Sequence, residues 1–425
     1  MGNGCCRNSD VQIFENPNTS VIKLKKIEND TPEKVYTMIQ DNYLSIPNTF
    51  NSDKFSAIKD IGVSGLENLG NTCYINSVLQ VLFNCQPLMD YFLSGIHKQD
   101  LNVLNPHGSR GEVAMAFGEL AEAYWQKSYD LLVPKLLVNL ISGESNIPND
   151  DAYQLLKVLL HLIHEDLNRA DRTPLIRPLK SSEAQEIKAA KSWQNELIKN
   201  SSIIIDLFQG QLRSTLTCTE CNFSAQTFEI FFSLSLDMPN KDRPATIDEC
   251  FQLFTNPKNS ERSWLCPKCN YGVKAIKKID IWKVPPILIF QLKTKKMRTI
   301  NNPLKQALFV TGSNKIDIAQ WVSALQKENP RYELFAKINC ESSVNSTHYT
   351  ATVKHKNSHS WQLFDDENVY HVEGEPPIDK DSYILFYQRV GGKYYRQSKN
   401  MPEYWPHLIA NYIKRTLGVS HKPEM

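Results

Sequence analysis

The pattern of apolar and polar positions predicts a helix that begins close to residue 73. Val78, Leu79, Leu82 and Phe83 recur at the spacing of one helical face, directly after a loop rich in Gly and Asn. The loop would lead into the N-terminus of this helix, which places Cys73 at or near its first turn.

Later segments carry patterns that are typical of strands. Residues 227–236 alternate and are rich in Phe, Leu and Ser, and residues 278–282 predict another strand. Residues 345–352 and 361–366, with a turn at 356–360 between them, predict a β-hairpin. Such a hairpin places residues near 348 and 365 on neighbouring strands.

Polar segments flank this patterned region at both ends. Residues 1–60 predict an N-terminal extension that is partly disordered, and residues 391–425 predict a basic C-terminal tail. Residues 61–390 between them form the predicted globular domain. Its longest apolar runs, such as residues 284–292, are far shorter than the roughly 20 residues that span a bilayer, so no transmembrane helix is predicted.

The composition narrows the class of protein. The 425 residues include 48 Lys and Arg against 46 Asp and Glu, and this near-neutral balance argues against a nucleic-acid partner. Ten cysteines are too few for a disulfide scaffold in a chain of this length. The N-terminus lacks the apolar stretch of a secretory signal, so a cytoplasmic protein with reduced thiols is predicted.

The first six residues predict lipidation. Gly2, once Met1 is removed, is a candidate for myristoylation, and Cys5 and Cys6 are candidates for palmitoylation. One myristoyl chain holds a membrane only marginally, so the cysteines would supply the second anchor on the cytoplasmic face. The alternative is a disordered tail in which the paired cysteines occur by chance.

Cys73 is the first candidate for chemistry. Unpaired N–H groups and the dipole at a helix N-terminus favour a thiolate, which predicts a lowered pKa for this cysteine. Asn68 and Asn71 offer carboxamide donors that could face a developing oxyanion. The alternative is a buried structural cysteine.

The predicted hairpin supplies partners for that cysteine. It places His348 on one strand and Asp365 or Asp366 on the next, within reach of the imidazole. A Cys nucleophile needs an imidazole to take its proton, and the imidazole needs an acceptor to fix its tautomer. The order Cys, His, Asp along the chain is that of a papain-like thiol protease.

Two C-x-x-C pairs predict a metal site. Cys218 and Cys221 form the first pair, and Cys266 and Cys269 form the second after a long insertion. Two such pairs suit a structural Cys₄ zinc site, in which the ion stabilises the fold and performs no chemistry. Thioredoxin-like redox chemistry is a weaker alternative, because it needs one C-x-x-C pair and not two.

Taken together, these motifs resemble those of the ubiquitin-specific protease family. The resemblance covers a Cys box at residues 65–82, an Asp-Ala segment at 149–154, a His box at 332–351 and a closing strand at 382–387. It implies an α+β, papain-like cysteine protease fold shaped like a right hand. The implied subdomains are a thumb at residues 61–200, zinc-clipped fingers at 205–285 and a palm at 286–390.

The resemblance also implies a function and roles for the site residues. The chain would be a deubiquitinase that binds ubiquitin and cleaves after its C-terminal glycine. Cys73 would be the nucleophile, His348 the general base, Asp365 its orienter, Asp366 a second polar helper and Asn68 the oxyanion donor. One structural zinc ion would be held by the four cysteines of the C-x-x-C pairs.

Two other functions are alternatives to a deubiquitinase, and departures from the family pattern motivate the first. Thr347 stands where the family usually has Gly, and Tyr153 and Gln154 replace a Gln-Glu pair after the Asp-Ala motif. A catalytically weak ubiquitin-binding scaffold of the same fold is therefore one alternative. A protease for a ubiquitin-like modifier is the other, because it would use the same chemistry.

Overall fold

The computed structural model describes most of the predicted globular domain. The described residues are 61–126, 129–144, 150–170, 183–239, 243–260, 263–293, 310–323, 329–342 and 347–391. Gly2, Cys5 and Cys6, with the rest of residues 1–60 and the predicted tail beyond residue 391, lie outside them.

The first half of the described chain is mainly helical. Its helices are α1 Cys73–Phe83, α2 Gln86–Leu93, α3 Ile96–Asp100, α4 Glu112–Gln126, α5 Lys135–Glu144, α6 Ala152–Asp166, α7 Gln185–Lys199 and α8 Ile203–Phe208, and a further helix, α9 Ile247–Thr255, follows later. Every residue of α1 is buried, because the helix contacts α6 on the helical side and a large sheet on the other. The start of α1 therefore lies inside the protein.

The strands form two main sheets. In chain order they are β1 Gly65–Leu66, β2 Leu131–Leu132, β3 Gly210–Cys218, β4 Ser224–Phe231, β5 Leu234–Asp237, β6 Ala245–Thr246, β7 Lys258–Asn259, β8 Trp264–Leu265, β9 Gly272–Val273, β10 Ala275–Lys283, β11 Ile287–Lys293, β12 Val310–Thr311, β13 Lys315–Asp317, β14 Arg331–Ser342, β15 Thr347–Lys354, β16 Trp361–Asp365, β17 Asn368–Val372 and β18 Ser382–Arg389. The smaller sheet has the order β4-β3-β10-β7 and falls within the predicted fingers.

The larger sheet has the order β17-β16-β15-β14-β18-β11-β5, with β13 paired to β14. Where both faces of this sheet are covered, its strands are nearly continuous apolar runs. In β11, for example, every residue from Ile287 to Phe290 is buried. Phe251 of α9 packs edge-on against Phe290, which closes one face of this core. β5 lies within the predicted fingers along the chain, yet it pairs with β11 in this larger sheet.

Several predicted elements are confirmed. The helix begins at Cys73, and β15 and β16 form the predicted hairpin around a turn at residues 355–360. The single strand predicted at residues 227–236 is wrong, because the chain breaks at Phe232 and Ser233 as it passes from the smaller sheet to the larger one. None of the helices in the described ranges is long and apolar enough to span a membrane.

Candidate active site

Cys73 is the first residue of α1 and is 7% exposed. Burial raises the pKa of its thiol, and the negative charge of Asp366 acts in the same direction. The backbone N–H groups of Tyr349 and Tyr74 oppose this rise without overcoming it. The prediction of a lowered pKa is therefore wrong for the substrate-free protein, because desolvation outweighs the helix terminus.

This difference has a measurable consequence. Since the pKa of Cys73 lies above its ordinary value of 9.0, the thiolate fraction at neutral pH is small in the folded protein. Alkylation of Cys73 by iodoacetamide, followed by mass spectrometry of its peptide, should accelerate with pH through and beyond 9. A rate already at its plateau at pH 7 would instead reveal a preformed thiolate.

His348 and Asp365 form a direct pair. Nε2 of His348 lies 2.6 Å from Oδ1 of Asp365, and both side chains are about half-buried. A carboxylate can only accept a hydrogen bond, so Nε2 carries the proton and Nδ1 keeps its lone pair. His348 directly precedes Tyr349, whose backbone N–H faces the Cys73 thiol. The structure thus brings the Cys, His and Asp segments to one place.

Asp366, next to Asp365 along the chain, has different partners. It sits in the two-residue turn between β16 and β17 with a positive φ of 51°. Its Oδ2 accepts a hydrogen bond from Nδ2 of Asn68 at 2.8 Å, and its Oδ1 accepts one from Nδ2 of Asn76 at 2.8 Å. Its backbone carbonyl accepts the N–H of Leu66. Asp366 therefore fastens the loop before Cys73 to the large sheet.

Asn68 is held on both sides of its carboxamide. While its Nδ2 donates to Asp366, its Oδ1 accepts from the backbone N–H groups of Gly70 and Thr72. Its own backbone N–H donates to Oε1 of Glu367 at 2.6 Å. These contacts fix the orientation of the carboxamide before any substrate is present.

Three residues of this site were absent from the sequence prediction. Asn76 is buried in α1 one helical turn after Cys73, and a polar residue on so apolar a helix was a usable signal. Glu367 and the backbone of Tyr349 gave no signal, because their roles depend on contacts between distant segments. Asn71, the other predicted carboxamide donor, is exposed and has a positive φ of 57°.

A cleft of about 560 Å³ adjoins the loop before Cys73. Loop residues 69–72 form one wall, and Lys135 and Asn139 of α5 form another, with Asp150 at the edge. Nearby, Asp151 caps the start of α6 and accepts a hydrogen bond from the hydroxyl of Tyr383 in β18 at 2.8 Å. This second contact ties α6 to the large sheet.

The residues that depart from the family pattern lie around that junction. The Tyr153 hydroxyl lies 2.8 Å from the Ser233 hydroxyl and 3.2 Å from that of Ser235. Thr347 is exposed at the start of β15, directly before His348. Each position is therefore close to the helix-to-sheet junction beside Cys73.

The four cysteines of the C-x-x-C pairs meet at the far end of the smaller sheet. Their sulfur atoms all lie within 4.8 Å of one another, with Cys218 to Cys269 at 3.8 Å and Cys221 to Cys266 at 3.6 Å. Ligands about 2.3 Å from a tetrahedral zinc ion would be roughly 3.8 Å apart, so the arrangement fits a metal ion.

Comparison with known proteins agrees with this geometry. A profile of the family described as ubiquitin carboxyl-terminal hydrolase matches residues 64–387. Human ubiquitin carboxyl-terminal hydrolase 2 is 30% identical over 347 residues, covering 77% of this chain and 55% of that protein. Ubiquitin carboxyl-terminal hydrolase 4 of Saccharomyces cerevisiae is 30% identical over 364 residues, covering 77% of this chain and 39% of that protein. The chain thus spans about half the length, or less, of these relatives.

Solved structures share the fold. A yeast SAGA DUBm with an Sgf73 mutant has a TM-score of 0.59 and 23% identity, covering 84% of this chain and 76% of that chain. The SAGA Ubp8/Sgf11/Sus1/Sgf73 DUB module bound to ubiquitin aldehyde has a TM-score of 0.56 and 21% identity, covering 85% and 76%. The α+β fold implied by the sequence motifs is thereby confirmed, and the chain belongs to the ubiquitin carboxyl-terminal hydrolase family.

Proposed function

We propose that this protein is a cysteine-dependent deubiquitinase that hydrolyses the isopeptide or peptide bond after the C-terminal glycine of ubiquitin. The observation that carries the proposal is the meeting of Cys73, at the start of α1, with the strand of His348, whose imidazole is held by Asp365. Family membership and a structural neighbour bound to ubiquitin aldehyde support ubiquitin as the partner.

The chemistry follows from the state of each group. The Cys73 thiol is neutral at rest, so His348 must take its proton on Nδ1 as the sulfur attacks the glycine carbonyl. The imidazolium then gives that proton to the departing lysine amine, and a thioester is left on Cys73. Water, activated by the neutral imidazole, attacks the thioester carbonyl and releases the ubiquitin carboxylate and the free thiol.

The negative oxygen that forms at each attack needs donors that are already in place. The backbone N–H of Cys73 and the carboxamide of Asn68 are the proposed donors, because both lie at the helix start beside the thiol. Asp366 and Thr72 hold that carboxamide in one orientation, so little reorganisation is needed during the reaction. Asp366 thus acts as a positioning residue.

Hydrolysis of a ubiquitin–fluorophore conjugate by the purified protein tests the proposal. Turnover of this conjugate in preference to conjugates of ubiquitin-like modifiers is expected. Tight ubiquitin binding without turnover would favour the scaffold alternative. The observation that bears on this alternative is that Tyr153, one of the residues that depart from the family pattern, bonds through its hydroxyl to Ser233. Preferred turnover of another modifier would identify that modifier as the substrate.

We also propose that the four-cysteine cluster holds one structural zinc ion. Cys218, Cys221, Cys266 and Cys269 would be the ligands, and the ion would supply no reaction chemistry. Metal analysis of the purified protein should find about one zinc per chain, and about none in the Cys218→Ser, Cys266→Ser variant. A folded wild type without metal would contradict the site.

Lipid attachment at Gly2, Cys5 and Cys6 is proposed from the residue pattern alone. Fractionation of cells should place the wild type on membranes, at their cytoplasmic face, and move Gly2→Ala to the soluble fraction. Cys5→Ser with Cys6→Ser should have the same effect, because one acyl chain holds a membrane only marginally. If the fraction of protein on membranes were unchanged in both variants, the lipidation proposal would be contradicted.

A further inference from the structure

The tip of the smaller sheet carries exposed apolar side chains on both sides of the four-cysteine cluster. Phe223 and Tyr271 each stand two residues after the last cysteine of a C-x-x-C pair, and each follows an Asn with positive φ. Trp264 stacks on Phe223, with ring centroids 6.4 Å apart, and Leu265 beside it is 68% exposed. Phe223, Trp264, Leu265 and Tyr271 are called the knuckle patch below.

Packing and backbone hydrogen bonds hold the knuckle patch in place. Cys218, Cys266 and Val273 form a small buried core, and Trp264 packs against it from outside. Each turn is closed by a backbone hydrogen bond, from Asn222 N–H to the Cys218 carbonyl and from Asn270 N–H to the Cys266 carbonyl. Large exposed side chains on an ordered surface are typical of binding sites, because burial in a partner removes them from water.

The patch lies at the opposite end of β3 from the large-sheet core. β3 runs from Gly210, which pairs with Phe231 of the large-sheet core, to Cys218 at the tip. Nine residues of strand span roughly 26 Å at about 3.3 Å per residue, so the patch lies about that far along β3 from the large-sheet core. A role in docking therefore fits the patch better than a role in catalysis.

Positive charges outnumber negative ones around the patch. Lys258, Lys268, Lys274 and Lys277 are exposed at this end of the sheet, and no acidic side chain of the described residues pairs with them. Glu220 is the exposed acid among the described residues 217–224 and 256–278. A divalent ion on four thiolates would bring a formal charge of −2. The four named lysines exceed Glu220 by three positive charges, which is larger than this formal charge of −2.

Two of these lysines are placed against each other. Lys258 of β7 and Lys277 of β10 are direct cross-strand partners. Like charges directly opposite on neighbouring strands destabilise the pairing, and an anionic group lying between them would reverse that effect. The arrangement therefore favours an acidic ligand over a neutral one.

We propose that the knuckle patch and its four lysines form a docking surface for an acidic protein segment with apolar anchors. The anchors would bury Leu265 and Tyr271, and the carboxylates of the segment would lie over Lys258 and Lys277. This surface is separate from the proposed ubiquitin chemistry and would select the complexes in which the enzyme works.

Selection of a phage-displayed random peptide library on the full-length protein tests the proposal. Enriched peptides should combine Asp or Glu with Leu or aromatic residues, and their affinity should fall as salt is raised. Leu265→Ser with Tyr271→Ser, and separately Lys258→Glu with Lys277→Glu, should weaken binding at least about tenfold. Leu104→Ser, at a similarly exposed leucine, and Lys315→Glu should leave affinity unchanged.

Other outcomes would overturn it. These are the absence of enrichment, enrichment of basic sequences, binding unaffected by the patch variants, or patch-dependent binding to phosphatidylserine vesicles or to a second copy of the chain. All patch variants should still react with a ubiquitin that carries a C-terminal electrophile. That reaction separates a failure of the docking proposal from a failure of the deubiquitinase proposal.

Discussion

Cys73→Ala should abolish covalent labelling by a ubiquitin that carries a C-terminal electrophile, and should lower hydrolysis of a ubiquitin–fluorophore conjugate by about 10⁴-fold or more. The reason is that in the proposed mechanism the sulfur of Cys73 forms the covalent bond in both assays. Intact-mass spectrometry checks the labelling, and steady-state fluorescence checks the turnover.

Cys85→Ala is the matched control for this substitution. Cys85 is also buried, and burial raises the pKa of its thiol to about 12, so it has almost no thiolate at neutral pH. Labelling and turnover should both persist in this variant. Labelling that survives Cys73→Ala but is lost in Cys85→Ala would reverse the assignment of the nucleophile.

Asp366→Ala should lower kcat by about 10²- to 10³-fold while changing KM much less. The substitution removes the acceptor that holds the Asn68 carboxamide and leaves the Nδ2 groups of Asn68 and Asn76 without this partner. Loss of one oriented oxyanion donor has an effect of this size, because the charge it stabilises exists only in the transition state. Steady-state kinetics with the ubiquitin–fluorophore conjugate measure both constants.

A double-mutant cycle separates this positioning role from a direct one. If Asp366 acts through Asn68, then Asn68→Ala should have a similar effect alone and add little to Asp366→Ala. Asp365→Ala should instead change the pH dependence of kcat/KM, since Asp365 is the carboxylate bonded to His348. Effects of Asp366→Ala and Asn68→Ala that simply add in the double variant would contradict the separation of roles. Thermal unfolding of each variant controls for loss of the fold.

The elements around the site could be predicted because their signals are local. The start of α1 at Cys73 follows from apolar spacing after a Gly- and Asn-rich loop, and the β15–β16 hairpin follows from two strand patterns around a turn. The C-x-x-C pairs likewise carry their own turn geometry, so their cysteines could be grouped before any fold was known. In each case neighbouring residues along the chain hold the information.

The different partners of Asp365 and Asp366 could not be predicted in the same way. Asp365 ends β16 and reaches His348, whereas Asp366 begins the turn with a positive φ and reaches Asn68, which is 298 residues away along the chain. The sequence shows two adjacent carboxylates that are chemically alike. Only the pairing of distant segments decides which one each partner meets.

The family, the candidate catalytic cysteine and histidine, and the pairing of the four C-x-x-C cysteines could all be predicted from the sequence, because these depend on residue type and short-range spacing. Tertiary structure alone decided the raised pKa of Cys73, since burial between α1 and the large sheet outweighs the helix terminus. It also decided that β5 leaves the smaller sheet to pair with β11. Desolvation and non-local strand pairing are properties of the packed molecule, and no local pattern along the chain carries them.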